Sequence, residues 1–169
     1  MDASAIMPDL YSLYDVAALQ AIYGANTTTN VENNIYTLSY DDYTIKTIWD
    51  AGGEDTIDLS NTSGVTAIDL RGGTINSIDQ RSLQEIIAIS KAEVNSTKFN
   101  SWIEAEVTDI YNNGQLYTGK NNLSIANGVI IENVKTGSGS DIVIDNEVNN
   151  NIFTFNGNDK IYIINGGYD

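Results

Sequence analysis

The spacing of turns predicts a mainly β chain built as a parallel β-roll, or β-solenoid, with an N-terminal helix and an inserted helical hairpin. Three observations predict it. Asp141 and Asp159 lie 18 residues apart with Asn150 midway, and each closes a polar turn. An apolar β-former follows two residues later each time, at Val143, Ile152 and Ile161. Residues 82–111 break this rhythm with apolar spacings of three and four, the period of a helix.

The turns read Thr136-Gly137-Ser138-Gly139-Ser140-Asp141, Asn146-Glu147-Val148-Asn149-Asn150 and Asn156-Gly157-Asn158-Asp159. The calcium-binding nonapeptide G-G-x-G-x-D-x-U-x of RTX-type β-rolls has this layout. One coil of such a roll takes two nonapeptides, so residues 18 apart stack. Asp141 and Asp159 then face one edge and can share a metal ion. Calcium is a hard cation that takes about six to eight oxygens from carboxylates and backbone carbonyls. Carbonyls at Gly137, Gly139 and Gly157 belong to the same candidate set. Ordinary polar turns are the competing reading, since Asn-Gly and Gly-Ser are common turn pairs. Three turns in phase with three apolar residues favour the roll. The repeats are eroded: Thr154 and Phe155 stand where the motif has glycine, and Asn150 replaces an aspartate. Tyr168 falls where the next aspartate is due, with Asp169 one place late. Few calcium ions are expected, not a full ladder.

One domain is expected over 1–169, with a helix at 12–24, the roll at 34–72 and 118–169, and the insertion at 80–114. Residues 1–11 read as weakly structured. Ser12 with Asp15 suits a helix N-cap, Gly24 a stop, and Val16, Leu19, Ile22 and Tyr23 form a stripe expected to pack on the roll. Strand signals follow at 35–38, 43–49, 55–59 and 65–70, separated by turn clusters such as Asp50-Ala51-Gly52-Gly53. Ser82…Glu85 and Ser101…Glu104 are two capping boxes ahead of apolar runs, and predict two helices lying on the roll. Strands resume at 123–125 and 129–131.

Composition narrows the function. The net charge is −15 with eight Lys and Arg, which argues against nucleic acid and anionic membranes as partners. It suits acidic groups neutralised by divalent cations. Cysteine and histidine are both absent, which removes disulfides, thiolate and imidazole metal sites, and histidine-based catalytic triads. No apolar run is long enough to span a membrane, and the N-terminus lacks the pattern of a cleaved signal peptide. The 21 asparagines suit repeated turns, because Asn tolerates left-handed conformations.

Four segments in order resemble the C-terminal part of serralysin-type metalloproteases. Leu13–Asn26 resembles the last helix of that family's catalytic domain. Ile48-Trp49-Asp50-Ala51-Gly52-Gly53-Glu54-Asp55-Thr56-Ile57-Asp58 is similar to the segment leading into its calcium-binding β-roll. Leu123–Asn133 resembles the strand pair before the repeats, and Gly137–Asp141 the first repeat. The resemblance implies calcium ligands at Asp50, Gly52, Gly53 and Asp55 in the lead-in segment, and at Glu132 and Asp141. The family's zinc motif is absent, so the resemblance does not extend to its catalysis. Its Arg-x-Gly-Asp-Thr stretch, due near residues 30–34, reads Asn30-Val31-Glu32-Asn33-Asn34 here, which implies a lead-in site short of ligands.

Three functions follow. The leading one is a non-catalytic calcium-binding module of a secreted bacterial protein, exported without a cleaved N-terminal signal peptide and folding on extracellular calcium. Its expected partners are calcium ions and a catalytic or adhesive domain of the parent protein. The alternative is an adhesion or partner-binding module, in which the helical insertion recognises a partner through Phe99, Trp102 and Tyr111. The third is an enzyme using paired carboxylates such as Asp55 with Asp58 or Glu104 with Glu106. Such pairs are common in acidic proteins and catalysis needs a cleft around them.

Overall fold

The structure is a computed structural model and describes residues 8–167. The readings of residues 1–7 and of Tyr168 and Asp169 lie outside the described residues. Helix α1 spans Leu13–Tyr23. The Asp15 carboxylate accepts from the Ser12 N–H (2.9 Å) and hydroxyl (2.6 Å), which fixes the first turn. Gly24 ends the helix with φ of 80°.

Ten short strands occur among the described residues: β1 Ile35–Tyr36, β2 Lys46–Ile48, β3 Thr56–Asp58, β4 Val65–Asp69, β5 Thr74–Gln80, β6 Leu123–Ile125, β7 Asn133–Lys135, β8 Ile142–Ile144, β9 Asn151–Phe153 and β10 Lys160–Tyr162. Helices α2 (Leu83–Val94) and α3 (Asn100–Asn112) lie between β5 and β6. One sheet has the order β1-β3-β7-β9, and every pair in it is parallel. The other has the order β10-β8-β4-β5-β6-β2, parallel except where β5 pairs with β4 and β6.

From β1 to β4, and again from β6 to β10, successive strands alternate between the two sheets. Asn133 pairs with Asn151 and Ile142 with Lys160, so the 18-residue stacking read from the sequence is present. In β3, β7, β8 and β9 the middle residue points inward, because side chains alternate across a strand. Ile57, Val134 and Val143 are fully buried there, and Ile152 packs against them. Ile161 occupies the same place in the last coil but stays 44 % exposed, since no further described coil stacks on it.

The described residues are mixed helix and sheet, not mainly β, with 26 % helix and 23 % strand. Most coil strands are three residues long and turns take the rest, while α2 and α3 run to 12 and 13 residues. The longest strand, β5, was not anticipated. It and β6 carry the helical pair and widen one sheet by two strands, about 10 Å. No strand forms at 129–131; Val129 and Ile131 are buried in the turn before β7.

Helix α2 begins at the predicted capping box, where Glu85 accepts from the Ser82 N–H (2.7 Å) and Ser82 Oγ accepts from the Glu85 N–H (3.3 Å). The second box does not form. Helix α3 starts at Asn100, one residue before Ser101, and Glu104 instead pairs with Lys91 (2.8 Å) across the hairpin. The helices do not seal the main core. Ile86, Ile87, Ile103 and Val107 form a second core with Tyr40. Trp102 is 64 % exposed and lies outside this second core. The α1 stripe is also corrected: Leu13 is buried and Val16 packs on the core, but Leu19, Ile22 and Tyr23 are exposed.

Candidate metal centre

The coils create two edges of stacked turns. On the first, the chain passes from the four-stranded into the six-stranded sheet, through 59–64, 136–141 and 154–159. On the second it returns, through 49–55, 126–132 and 145–150.

The first edge brings Asp141 and Asp159 together, as read from the sequence. The Asp141 N–H donates to Asp159 Oδ1 (2.9 Å), and the Thr66 N–H donates to Asp141 Oδ1 (2.7 Å). Each carboxylate thus receives the amide of the residue one coil earlier. Gly139 and Gly157 allow the close stacking. A Cβ on Gly139 would collide with the Gly64 carbonyl, and one on Gly157 with the Gly139 carbonyl. Those carbonyls therefore sit beside the aspartate side chains. Gly137 is buried against Thr62 instead, with its missing Cβ turned to the Thr62 carbonyl. Asp141 is fully buried and its Oδ2 has no hydrogen-bond partner.

The second edge repeats the arrangement at the lead-in turn. The Asn34 N–H donates to Asp55 Oδ1 (2.8 Å), and the Asp55 N–H donates to Glu132 Oε2 (2.7 Å). Gly53 (φ 136°) faces the Glu32 carbonyl as Gly139 faces Gly64, whereas Gly52 is open to solvent. Asp55 is 1 % exposed, and its Oδ2 also lacks a partner. Burial raises its pKa to about 6, with Asp50 and Glu132 adding repulsion against the relief of the Asn34 amide. Asp50 Oδ2 accepts from the Tyr36 hydroxyl (2.5 Å), and its Oδ1 from the Gly52 N–H (2.8 Å). Burial, then the contact with Asp50, pushes the Tyr36 hydroxyl above its ordinary range. With its amide oriented to satisfy its neighbours, Asn34 donates to the Glu32 carbonyl (3.0 Å) and Asp50 Oδ2 (3.2 Å).

The predicted residues thus fall into two groups: Asp50, Gly52, Gly53, Asp55 and Glu132 on one edge, and Gly137, Gly139, Asp141, Gly157 and Asp159 on the other. Among the described residues, no three His, Cys, Asp or Glu side chains form a metal-holding group. The other buried side-chain atoms without partners are three hydroxyls, of Thr47, Ser90 and Thr136, and the Arg81 Nε. Thr66, Tyr36 and Asn34 were missed by the sequence reading. Each enters through a coil-to-coil register that only the fold supplies.

Stacked Gly-x-Asp turns on parallel coils define a class of chain, and the comparisons give its family. The chain matches the family described as Peptidase M10 serralysin C terminal, over residues 13–95 and 96–163, and belongs to it. It is 32 % identical over 152 residues to a serralysin of Photorhabdus laumondii, covering 83 % of this chain and 24 % of that protein. A serralysin of Proteus mirabilis is likewise 32 % identical over 152 residues, covering 83 % of this chain and 23 % of its own length. Serralysin C of Dickeya chrysanthemi is 32 % identical over 142 residues, or 77 % of this chain and 22 % of the relative. The chain spans about a quarter of the length of these relatives, and the family match is to their C-terminal part. No helix among the described residues is long and apolar enough to cross a membrane.

Proposed function

We propose that this chain is a non-catalytic, calcium-binding β-roll module of a secreted bacterial protein, folding on extracellular calcium and supporting the secretion and stability of its parent. The observation that carries the reading is the pair of buried, unpartnered carboxylate oxygens, Asp55 Oδ2 and Asp141 Oδ2, one on each edge. A buried charge without a partner is costly, and a hard cation removes that cost. Asp141 and Asp159, with carbonyls of the 137–139 and 157 turns, hold calcium on the first edge. Asp50, Asp55 and Glu132, with carbonyls at Gly52 and Gly53, hold it on the second. Because so few carboxylates converge, most ligands at either site are backbone oxygens. The lead-in site is the weaker, since Asn34 and Tyr36 already satisfy Asp50 with neutral donors.

The module's partner is a further domain of the parent protein, catalytic or adhesive. The chain itself performs no catalysis: it lacks histidine, and its family match is to the C-terminal part of serralysins. Isothermal titration with calcium, read beside circular dichroism, tests the reading. Heat of binding together with gain of β signal is expected. A flat titration with unchanged spectra would overturn it.

One observation favours a second reading, partner binding through the insertion. Phe99, Trp102 and Tyr111 are 52 %, 64 % and 46 % exposed, and such exposed aromatics are enriched where proteins meet partners. Chains with these three positions changed to Ala should then fold and bind calcium normally but lose adhesion to the parent's target.

A further inference from the structure

The first edge carries its repeating unit once more, at a place the repeats do not reach. The unit is a glycine whose absent Cβ leaves room for the neighbouring carbonyl and for one carboxylate oxygen. A Cβ on Gly139 would lie against the Gly64 carbonyl and 2.9 Å from Asp141 Oδ1; one on Gly157, against the Gly139 carbonyl and 3.0 Å from Asp159 Oδ1. A Cβ on Gly64 would lie against the Gln80 carbonyl and 2.8 Å from Asp79 Oδ1. Asp79 is therefore the carboxylate of a third such unit, contributed by antiparallel β5 instead of a coil. It reaches that place with φ of 53°, a left-handed conformation that Asp tolerates.

Asp79 is nearly as buried as Asp141, at 2 % exposed, and holds the same kind of partners. Its Oδ1 accepts from the Ser63 (3.1 Å) and Gly64 (2.5 Å) N–H groups, and its Oδ2 from the Tyr40 N–H (2.9 Å). The difference is the positive charge. Arg81 Nη2 lies 2.8 Å from Asp79 Oδ1, and the Arg81 side chain is only 15 % exposed. Its guanidinium carbon stands 5.8 Å from the centroid of the Tyr40 ring, within cation–π range. Tyr40 is itself fixed by Tyr43 and Tyr117, with ring centroids 5.4 Å away in both cases. The Arg81 N–H donates to the Thr118 carbonyl (3.0 Å), so the chain entering α2 is tied to the chain returning from α3.

We propose that the Arg81 guanidinium is the resident cation of this third unit, supplying at Asp79 the positive charge that a metal ion supplies elsewhere on the edge. The junction between coils and helices is then held without metal, whatever the calcium level. The comparison with Asp141 and Asp159 rests on the calcium reading given above; the junction's independence of metal does not.

Hydrogen exchange on the whole chain, with EDTA and with about 10 mM calcium, well above the range of extracellular calcium modules, tests this. In the unaltered chain, the Tyr40, Ser63 and Gly64 amides should keep their protection in EDTA, while the coil edges, which fold on calcium, lose theirs. In R81Q the protection of these three amides should fall by about tenfold or more in EDTA, because Asp79 is left buried and uncompensated. Calcium should restore it, and the neutral pair D79N/R81Q should restore the Ser63 and Gly64 amides, which donate to the one oxygen that Asn keeps. If R81Q fails to fold in EDTA, recovery in D79N/R81Q supports the proposal and continued failure overturns it. Unchanged protection in R81Q, or loss of protection of these three amides in EDTA in the unaltered chain, also overturns it. The calcium reading fails separately, if the Thr66 and Asp141 amides, which donate to Asp141 and Asp159, ignore calcium in the unaltered chain.

Discussion

Asp55 and Asn150 occupy the same position on the same edge, one residue before β3 and β9 of the same sheet, and they close their turns differently. The Asn150 amide donates to the Ile131 (3.0 Å) and Glu132 (3.2 Å) carbonyls, while its oxygen accepts from the Asn146 N–H (3.0 Å). Asn146 adds bonds to the Ile131 (2.8 Å) and Leu70 (3.3 Å) carbonyls. Asp55 accepts one amide and leaves its second oxygen buried without a partner. A neutral amide carries donor and acceptor together, so it can finish a stacked turn alone. A carboxylate only accepts, and it brings a charge that burial penalises. The same backbone position is self-sufficient with asparagine and leaves an uncompensated buried oxygen with aspartate. The substitution of Asn150 for the repeat aspartate is therefore a change of closure, not a loss of one.

The comparison breaks first on calcium itself. Ligand that binds only the folded chain adds RT ln(1 + [L]/Kd), about 2.7 kcal/mol per site at a hundredfold excess over Kd. With Kd on the order of 10⁻⁴ M, about 10 mM calcium should stabilise two sites by about 5 kcal/mol over EDTA. Thermal melts should move by ten degrees or more, at about 2–4 °C per kcal/mol for a chain of this size. Asp141→Ala should abolish about half of that gain or more, since the lead-in site is the weaker. Superimposed melts of the unaltered chain in calcium and EDTA would end the distinction between the two kinds of turn.

Next comes pH. The folded pKa of Asp55, about 6, lies above the ordinary aspartate value near 3.9. The folded chain therefore binds this proton more tightly than the unfolded chain. In EDTA, stability should be highest below about pH 4 as far as this group is concerned, and should fall as pH rises to about 6. At about 1.4 kcal/mol per pKa unit, the change is of the order of 3 kcal/mol. Asp55→Asn should remove it, which denaturant unfolding at pH 4, 5, 6 and 7 would register. A pH slope in EDTA that is the same with Asp and Asn at 55 would assign it to other groups.

Asparagine closure should be indifferent to both variables. Asn150→Ala leaves the buried Ile131 and Glu132 carbonyls with fewer donors, and a lost buried partner costs about 1–3 kcal/mol. The loss should be equal in calcium and EDTA, measured by urea unfolding. A loss confined to calcium would make Asn150 part of a metal site.

The periodic parts of this molecule were legible because periodicity in sequence becomes stacking in space. The 18-residue spacing of Asp141 and Asp159 became a hydrogen bond between them. Val143 and Ile152 point inward for the same reason. What broke the period was not legible. Strand β5 pairs antiparallel with β4 at Ser77 and Gln80 and with β6 at Thr74, Ile75 and Asn76, and nothing in its spacing marks it as the arm of an insertion. Thr66 joins the first edge through a register of 75 residues that a local motif cannot contain. The second capping box misled because Ser101…Glu104 is a two-residue signal, and the 3₁₀ turn at Thr97–Phe99 runs straight into α3 before Ser101 can act as a cap.

The smallest effect belongs to the insertion, and it tests whether calcium acts through the turns alone. Helices α2 and α3 bury Ile86, Ile87, Ile103 and Val107 in a core separate from that of the coils. Trp102 lies outside that core, so Trp102→Ala should change stability by less than about 0.5 kcal/mol. Ile103, its neighbour in sequence, is 4 % exposed and packs in that core, so Ile103→Ala should cost about 2–5 kcal/mol. Neither value should depend on calcium, because neither side chain reaches a turn that lacks a partner. Urea unfolding of both variants, with calcium and with EDTA, gives four numbers. Two equal pairs confine the metal's effect to the coil edges. A calcium-dependent cost at Ile103 would mean that the helical pair and the turns fold as one unit, and that the charge at the Asp79–Arg81 junction couples them.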